Sequence, residues 1–148
     1  MSHERLTVDK ENWEQPSLLQ VCKRTRKEAI SIYYEENRFS FDATDYNSDA
    51  LTSWYQHGKH FPKTVEQSFC CPTGRKNWGN LLRWLKRCHE ERMFRFSAAD
   101  WQSSEVKTAV TAFKLAWDLR LAGVQWELIQ NALEHYRQGL KDAAQVWE

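Results

Sequence analysis

Near the end of the chain, Trp126, Ile129, Leu133, Tyr136, Leu140, Ala143 and Trp147 recur at alternating steps of three and four residues. That rhythm places all of them on one face of an α-helix, the pattern of a helix packed along its whole length on another helix. The preceding stretch supplies the second helix. Val106, Ala109, Val110, Phe113, Ala116, Trp117 and Leu121 share a face, Ser103 or Ser104 offers an N-cap, and Gly123 interrupts the run. Two helices joined at one glycine make a helical hairpin. We expect it over 104–147, supplying much of the core, with Phe113 and Trp117 facing Ile129, Leu133 and Tyr136.

Upstream, helical and strand periods alternate. Ser17 and Gln20 form a capping-box pair, and Leu18, Val21, Cys22, Thr25, Ala29, Ile32 and Tyr33 mark one face of a helix. It should stop near Asn37, a residue that tolerates the left-handed conformation at a helix end. Phe39-Ser40-Phe41-Asp42 alternates as a half-buried strand does. Asp45, Asn47 and Ser48 mark a turn into a helix over Asp49 to His57, closed by Gly58. Thr64 to Cys71 is a second strand candidate, ended by Pro72-Thr73-Gly74. Two strands flanking a helix imply a right-handed crossover with parallel strands. Trp78, Leu81, Leu82, Leu85, Cys88 and His89 form the face of the next helix, opposite Arg83, Lys86, Arg87 and Glu90. Met93-Phe94-Arg95-Phe96 is a third strand candidate. The expected fold class is α+β, mainly α, with about five helices and two or three short strands. Residues 1–16, mostly polar, read as an N-terminal arm, and 17–148 as a single globular domain, the size at which one core suffices without metal or disulfide.

Several chemistries find no support. The 14% of aromatic residues excludes a disordered chain. No signal peptide, transit peptide or membrane-length apolar run is present, which leads us to expect a cytoplasmic or nuclear protein that does not enter membranes. Cys22, Cys70, Cys71 and Cys88 are too irregularly spaced for a secreted disulfide framework. Cys70-Cys71 and Cys88-His89 are adjacent pairs whose side chains diverge, so a shared zinc ion is not expected, and His57 and His60 at a helix end need only the helix dipole. No cysteine is expected to have a depressed pKa, and no nucleophile elbow or phosphate loop occurs. Neither catalytic residues nor a cofactor are expected.

Charge is unevenly spread. The 21 Lys and Arg nearly balance the 20 Asp and Glu, yet residues 74–95 hold seven basic groups against two acidic ones. Arg75, Lys76, Arg83, Lys86 and Arg87 are the candidates there for partner contact, with Trp84 beside them as an exposed aromatic. Such a stretch is either the solvated outer face of an amphipathic helix or a surface that meets another protein or a nucleic acid, phosphates on the cations and bases stacked on Trp78 and Trp84.

One segment carries a recognisable signature: Val21-Cys22-Lys23-Arg24-Thr25-Arg26-Lys27-Glu28-Ala29, then Ile32, Tyr34, Asn37, Phe39 and Phe41. It resembles the shared segment of the fungal F-box-like proteins, Arg26, Glu28, Ala29, Tyr34, Asn37 and Phe39 falling on the pattern. Lys23, Arg24 and Thr25 stand where that family carries Arg, Gln and Ile. Residues 1–16 show no counterpart of the F-box-like stretch with which such proteins begin. The resemblance implies a non-catalytic intracellular protein-interaction module, with Lys23, Arg24 and Lys27 added to the contact residues. A small nucleic-acid-binding protein using the basic helix at 75–95 is the alternative.

Overall fold

A computed structural model describes residues 5–8, 17–58, 60, 69–91, 106–142 and 147–148. In chain order they form β1 (Arg5–Val8), a 3-10 turn (Ser17–Gln20), α1 (Lys23–Glu36), β2 (Arg38–Thr44), α2 (Asp49–Gly58), β3 (Phe69–Thr73), α3 (Trp78–Glu91), α4 (Lys107–Leu121) and α5 (Trp126–Asp142). The class is the expected one, mainly α with a few short strands. The strand candidate at 93–96, the Ser103 or Ser104 cap, and Trp13 lie outside the described residues. Two compact units divide the chain, 1–43 with 49–71 and 44–48 with 72–148.

In the first unit the strands lie in the order β1-β2-β3. Along β2 the burial alternates as its sequence demands, with Phe39, Phe41 and Ala43 inside and Arg38 and Asp42 outside. β1 pairs with it in parallel, Leu6 opposite Phe39 and Val8 opposite Phe41. This strand falls within the segment read as an arm. Four residues carry too little alternation to be recognised, and it is the pairing with β2 that holds them extended. Trp54 of α2 is fully buried and gathers the aromatic core of this unit. Its ring lies 4.9 Å from Phe41, 5.1 Å from Phe39 and 6.0 Å from Tyr34. Edge-to-face and tilted pairs of this kind each add about 0.5–1.5 kcal/mol beyond the area they bury.

The signature helix departs from its expected form in three ways. Ser17 opens a 3-10 turn, the chain breaks at Val21-Cys22, and α1 starts only at Lys23. Its covered side is not the expected one: Val21 is 44% and Ile32 57% exposed, whereas Tyr34 is fully buried. Ile30, Tyr33 and Asn37 are half-buried on the same side as Tyr34. Asn37 ends the helix in an extended conformation (φ −102°, ψ 148°), not a left-handed one. Its Nδ2 donates to the Tyr33 carbonyl at 2.8 Å, satisfying one of the acceptors a helix end leaves open.

In the second unit, α3, α4 and α5 pack together. Asn77 caps α3, its Oδ1 accepting from the Asn80 N–H at 2.9 Å. The α4–α5 hairpin turns as expected at Gly123, where φ is +78°. The Gly123 N–H donates to Arg120 O at 2.9 Å and the Val124 N–H to Leu119 O at 3.0 Å, the two bonds of a Schellman closure. Ile129 and Leu133 are fully buried on α5, as the three-four rhythm requires. The buried face of α4 is made of small residues, Thr108, Ala109, Ala112 and Ala116, and Leu121, expected on that face, is 70% exposed. Phe113 turns to α3, its ring 5.1 Å from that of Trp84. Tyr136 spans the hairpin, its hydroxyl donating to Thr108 O at 3.3 Å.

A tight turn of this unit carries strain. Asp45 and Tyr46 both adopt positive φ (52° and 62°), which costs an ordinary residue about 1–2 kcal/mol. Hydrogen bonds hold the turn in place. The Asp45 N–H donates to Thr73 O at 2.8 Å, and Asp45 Oδ1 accepts from the Arg75 N–H at 2.6 Å. Asn80 Nδ2 donates to Asp45 O at 2.9 Å.

Candidate interaction surfaces

The nine candidate contact residues fall into two groups in different units. Lys23, Arg24 and Lys27 are on α1, whereas Arg75, Lys76, Arg83, Trp84, Lys86 and Arg87 precede or belong to α3.

Along the second group, the chain's own groups engage most of the cations. Arg75 is exposed and lies 3.8 Å from the Glu148 carboxylate, and the Lys76 carbonyl accepts from the Glu148 N–H at 2.9 Å. Lys86 pairs with Glu90 one turn on at 3.7 Å. Arg87 is half-buried and donates from Nη1 to the hydroxyl of the buried Ser48 at 3.0 Å. Arg83 projects into solvent, its Nη1 3.5 Å from Asn80 Oδ1.

Trp84 corrects the sequence reading. It is 0% exposed, and Trp78 is 1% exposed. Because α3 packs against both α4 and α5, its covered stripe is wider than one partner would need and reaches round to Trp84. Neither indole is presented beside the cations, so the basic face of α3 has no aromatic platform for bases.

The α1 surface is of another kind. All residues from Gln20 to Glu28 are exposed, so nothing among the described residues covers the first turn and a half of the helix. Lys23, Arg24, Arg26 and Lys27 crowd this stretch, with no acidic residue in the first turn. Glu35 and Glu36 stand in the last turn, which holds no basic residue. Both ends oppose the helix macrodipole, each misplaced exposed charge costing about 0.3–1 kcal/mol. Arg24 pairs with Glu28 at 3.7 Å, both side chains strongly exposed, so the pair adds little. Arg26 Nη2 donates back to the Val21 carbonyl at 3.2 Å. Among the described residues, no acidic side chain lies within ion-pair distance of Lys23 or Lys27. Arg26 belongs to this surface but was not among the sequence candidates. A hydrophobic period marks the side of a helix that can be buried, not the length over which it is.

Cys22 occupies the N-cap position of α1. Its Sγ lies 3.3 Å from Thr25 Oγ1, and the Thr25 hydroxyl, the N–H groups of Thr25 and Arg24, and the Arg26 charge lower its pKa. This overturns the expectation that no cysteine would be so placed. The reason is the break at Val21-Cys22, which sets the thiol at a helix start instead of inside a turn. Cys88 is the opposite case, buried in α3 and pushed up to about 12 by loss of solvent. Neither is disulfide-bonded. The side chains of Cys70 and Cys71 lie outside the described residues. Among the described residues no three His, Cys, Asp or Glu side chains converge as metal ligands would, and no helix is long and apolar enough to cross a membrane.

The chain matches no protein-family model, no curated protein and no solved structure.

Proposed function

We propose that this chain is a non-catalytic protein-interaction module working inside the cell, in the cytoplasm or nucleus. The observation that carries the reading is the uncovered start of α1, where every residue from Gln20 to Glu28 is exposed and four are basic. Charges placed against the helix dipole weaken the helix, and a local rule broken without internal compensation is commonest where a chain meets something else. The resemblance of the same segment to the fungal F-box-like proteins supports the reading. The basic face of α3 is the second contact surface, through Arg83 and Lys86.

The test is affinity capture from fungal extract with the tagged chain and two variants. One carries Lys23→Gln, Arg24→Gln and Lys27→Gln, the other Arg83→Gln and Lys86→Gln. A defined partner held by the unaltered chain and lost by one variant is the expected result. Recovery of the same proteins by all three chains, or of none, would count against the reading. A parallel polarisation titration with random-sequence DNA and RNA at two salt concentrations separates the alternatives. Phosphate contacts would give an affinity falling steeply with salt, and we expect no such binding.

A further inference from the structure

Lys23, Arg26 and Lys27 are spaced three and four residues from Ile30, Tyr33 and Tyr34, so they continue the same side of α1. In the second half of the helix that side is packed: Tyr34 is buried, and Ile30 and Tyr33 are half-buried. In the first half it is exposed and basic. The packed seam therefore runs on beyond its cover into a short cationic surface, edged by Val21 at 44% exposure.

Resting on the interaction reading above, we infer that this surface docks an acidic segment of a partner protein, its carboxylates on Lys23 and Lys27 and its apolar groups against Val21 and the lysine stems. Charge complementarity selects the occupant, since no acidic side chain among the described residues lies within ion-pair distance of Lys23 or Lys27. The extent of the surface selects the class of macromolecule. The cations span about five residues, roughly 7 Å of helix rise, enough for one or two phosphates where nucleic-acid binders neutralise about six to ten. Glu28, Glu35 and Glu36 follow along the helix and would repel a longer polyanion. No aromatic ring of α1 is exposed for stacking, Tyr33 being half-buried and Tyr34 fully so. A carboxylate-bearing peptide with interspersed apolar residues fits both the charge and the apolar rim.

A fluorescein-labelled peptide of repeating Glu-Glu-Leu triplets, titrated with the full chain, tests this directly. Its competitor is a single-stranded oligonucleotide of equal charge. We expect saturable binding, weakened about tenfold by Lys23→Glu with Lys27→Glu, as loss of two exposed ion pairs implies. Reversal on α3, Arg83→Glu with Lys86→Glu, should change it less than about twofold. The oligonucleotide should compete more weakly than unlabelled peptide. Both lysines are exposed and an acid at position 23 suits the helix dipole, so the variant should keep its helix, which circular dichroism of each variant checks. Absence of saturable binding overturns the inference, as does insensitivity to the α1 reversal or tighter binding of the oligonucleotide. Sensitivity to the α3 reversal alone overturns it too, while leaving the broader interaction reading standing.

Discussion

Trp147 meets Trp78 edge to face, the ring centroids 5.7 Å apart and the planes at 82°. Both indoles are buried, and Trp147 also lies 5.0 Å from the ring of Tyr46. Backbone bonds hold it there. The Trp78 N–H donates to Glu148 O at 2.7 Å, filling the start of α3, and Arg137 Nη2 donates to Trp147 O at 3.1 Å. The pair of residues at 147–148 is thus a wedge of the second unit, joining the strained Asp45–Tyr46 turn to the first turn of α3.

Removing that wedge should be costly. Trp147→Ala is expected to lose about 3–5 kcal/mol, a fall in thermal midpoint of roughly 10 °C. Glu148→Ala, which deletes only an exposed ion pair with Arg75 and keeps the backbone bonds, should cost less than about 1 kcal/mol. Chemical denaturation of the two variants beside the unaltered chain checks the contrast.

The α5 seam makes an equally sharp contrast within one helix. Leu133 is 0% and Leu128 62% exposed. Leu133→Asp buries an unpaired carboxylate and should cost upward of about 4 kcal/mol, whereas Leu128→Asp should stay within about 0.5 kcal/mol. A midpoint unmoved by Leu133→Asp would show the seam to be misassigned.

Two glycines with nearly equal φ should respond differently to a methyl group. Gly74 (φ +75°) has Asp45 Oδ1 in the space a Cβ would take, and that oxygen is held by the Arg75 N–H. Gly123 (φ +78°) opens on empty space. Backbone strain alone sets the cost of Gly123→Ala at about 1 kcal/mol, while the overlap raises Gly74→Ala to about 3 kcal/mol. Equal midpoints for the two variants would contradict the turn geometry.

The two thiols should part company on titration. Cys22 is expected to be alkylated near neutral pH, more slowly after Thr25→Ala, because the Thr25 hydroxyl is the largest influence lowering its pKa. Cys88 should react only on unfolding. Its folded pKa of about 12 lies above the reference value of 9.0, so the unfolded state loses this proton first as pH rises. Its contribution is intact below about pH 9 and lost progressively toward pH 12, by up to about 1.4 kcal/mol per unit. Burial raises the Tyr34 phenol in the same sense. Peptide mapping after timed iodoacetamide treatment tests the first statement. Denaturation midpoints of the unaltered chain and Cys88→Ala above pH 9 test the second, the variant losing less.

The sequence by itself determined the elements whose signals are local. The three-four rhythm from Trp126 and the glycine at 123 specified the hairpin, and the alternation about Phe39 and Phe41 specified β2, because periodicity depends only on near neighbours. Tertiary structure decided what covers each face. α3 is flanked by two helices, which takes Trp84 inside although it sits at the edge of the apolar stripe. β1 exists through its pairing with β2. On α1 the covered side includes Tyr34, omits Ile32 and stops short of Lys27. The break at Val21-Cys22, which no pattern announced, places the Cys22 thiol at a helix start and lowers its pKa. Burial and electrostatic environment are set by residues distant along the chain, and a period along one helix holds no record of them.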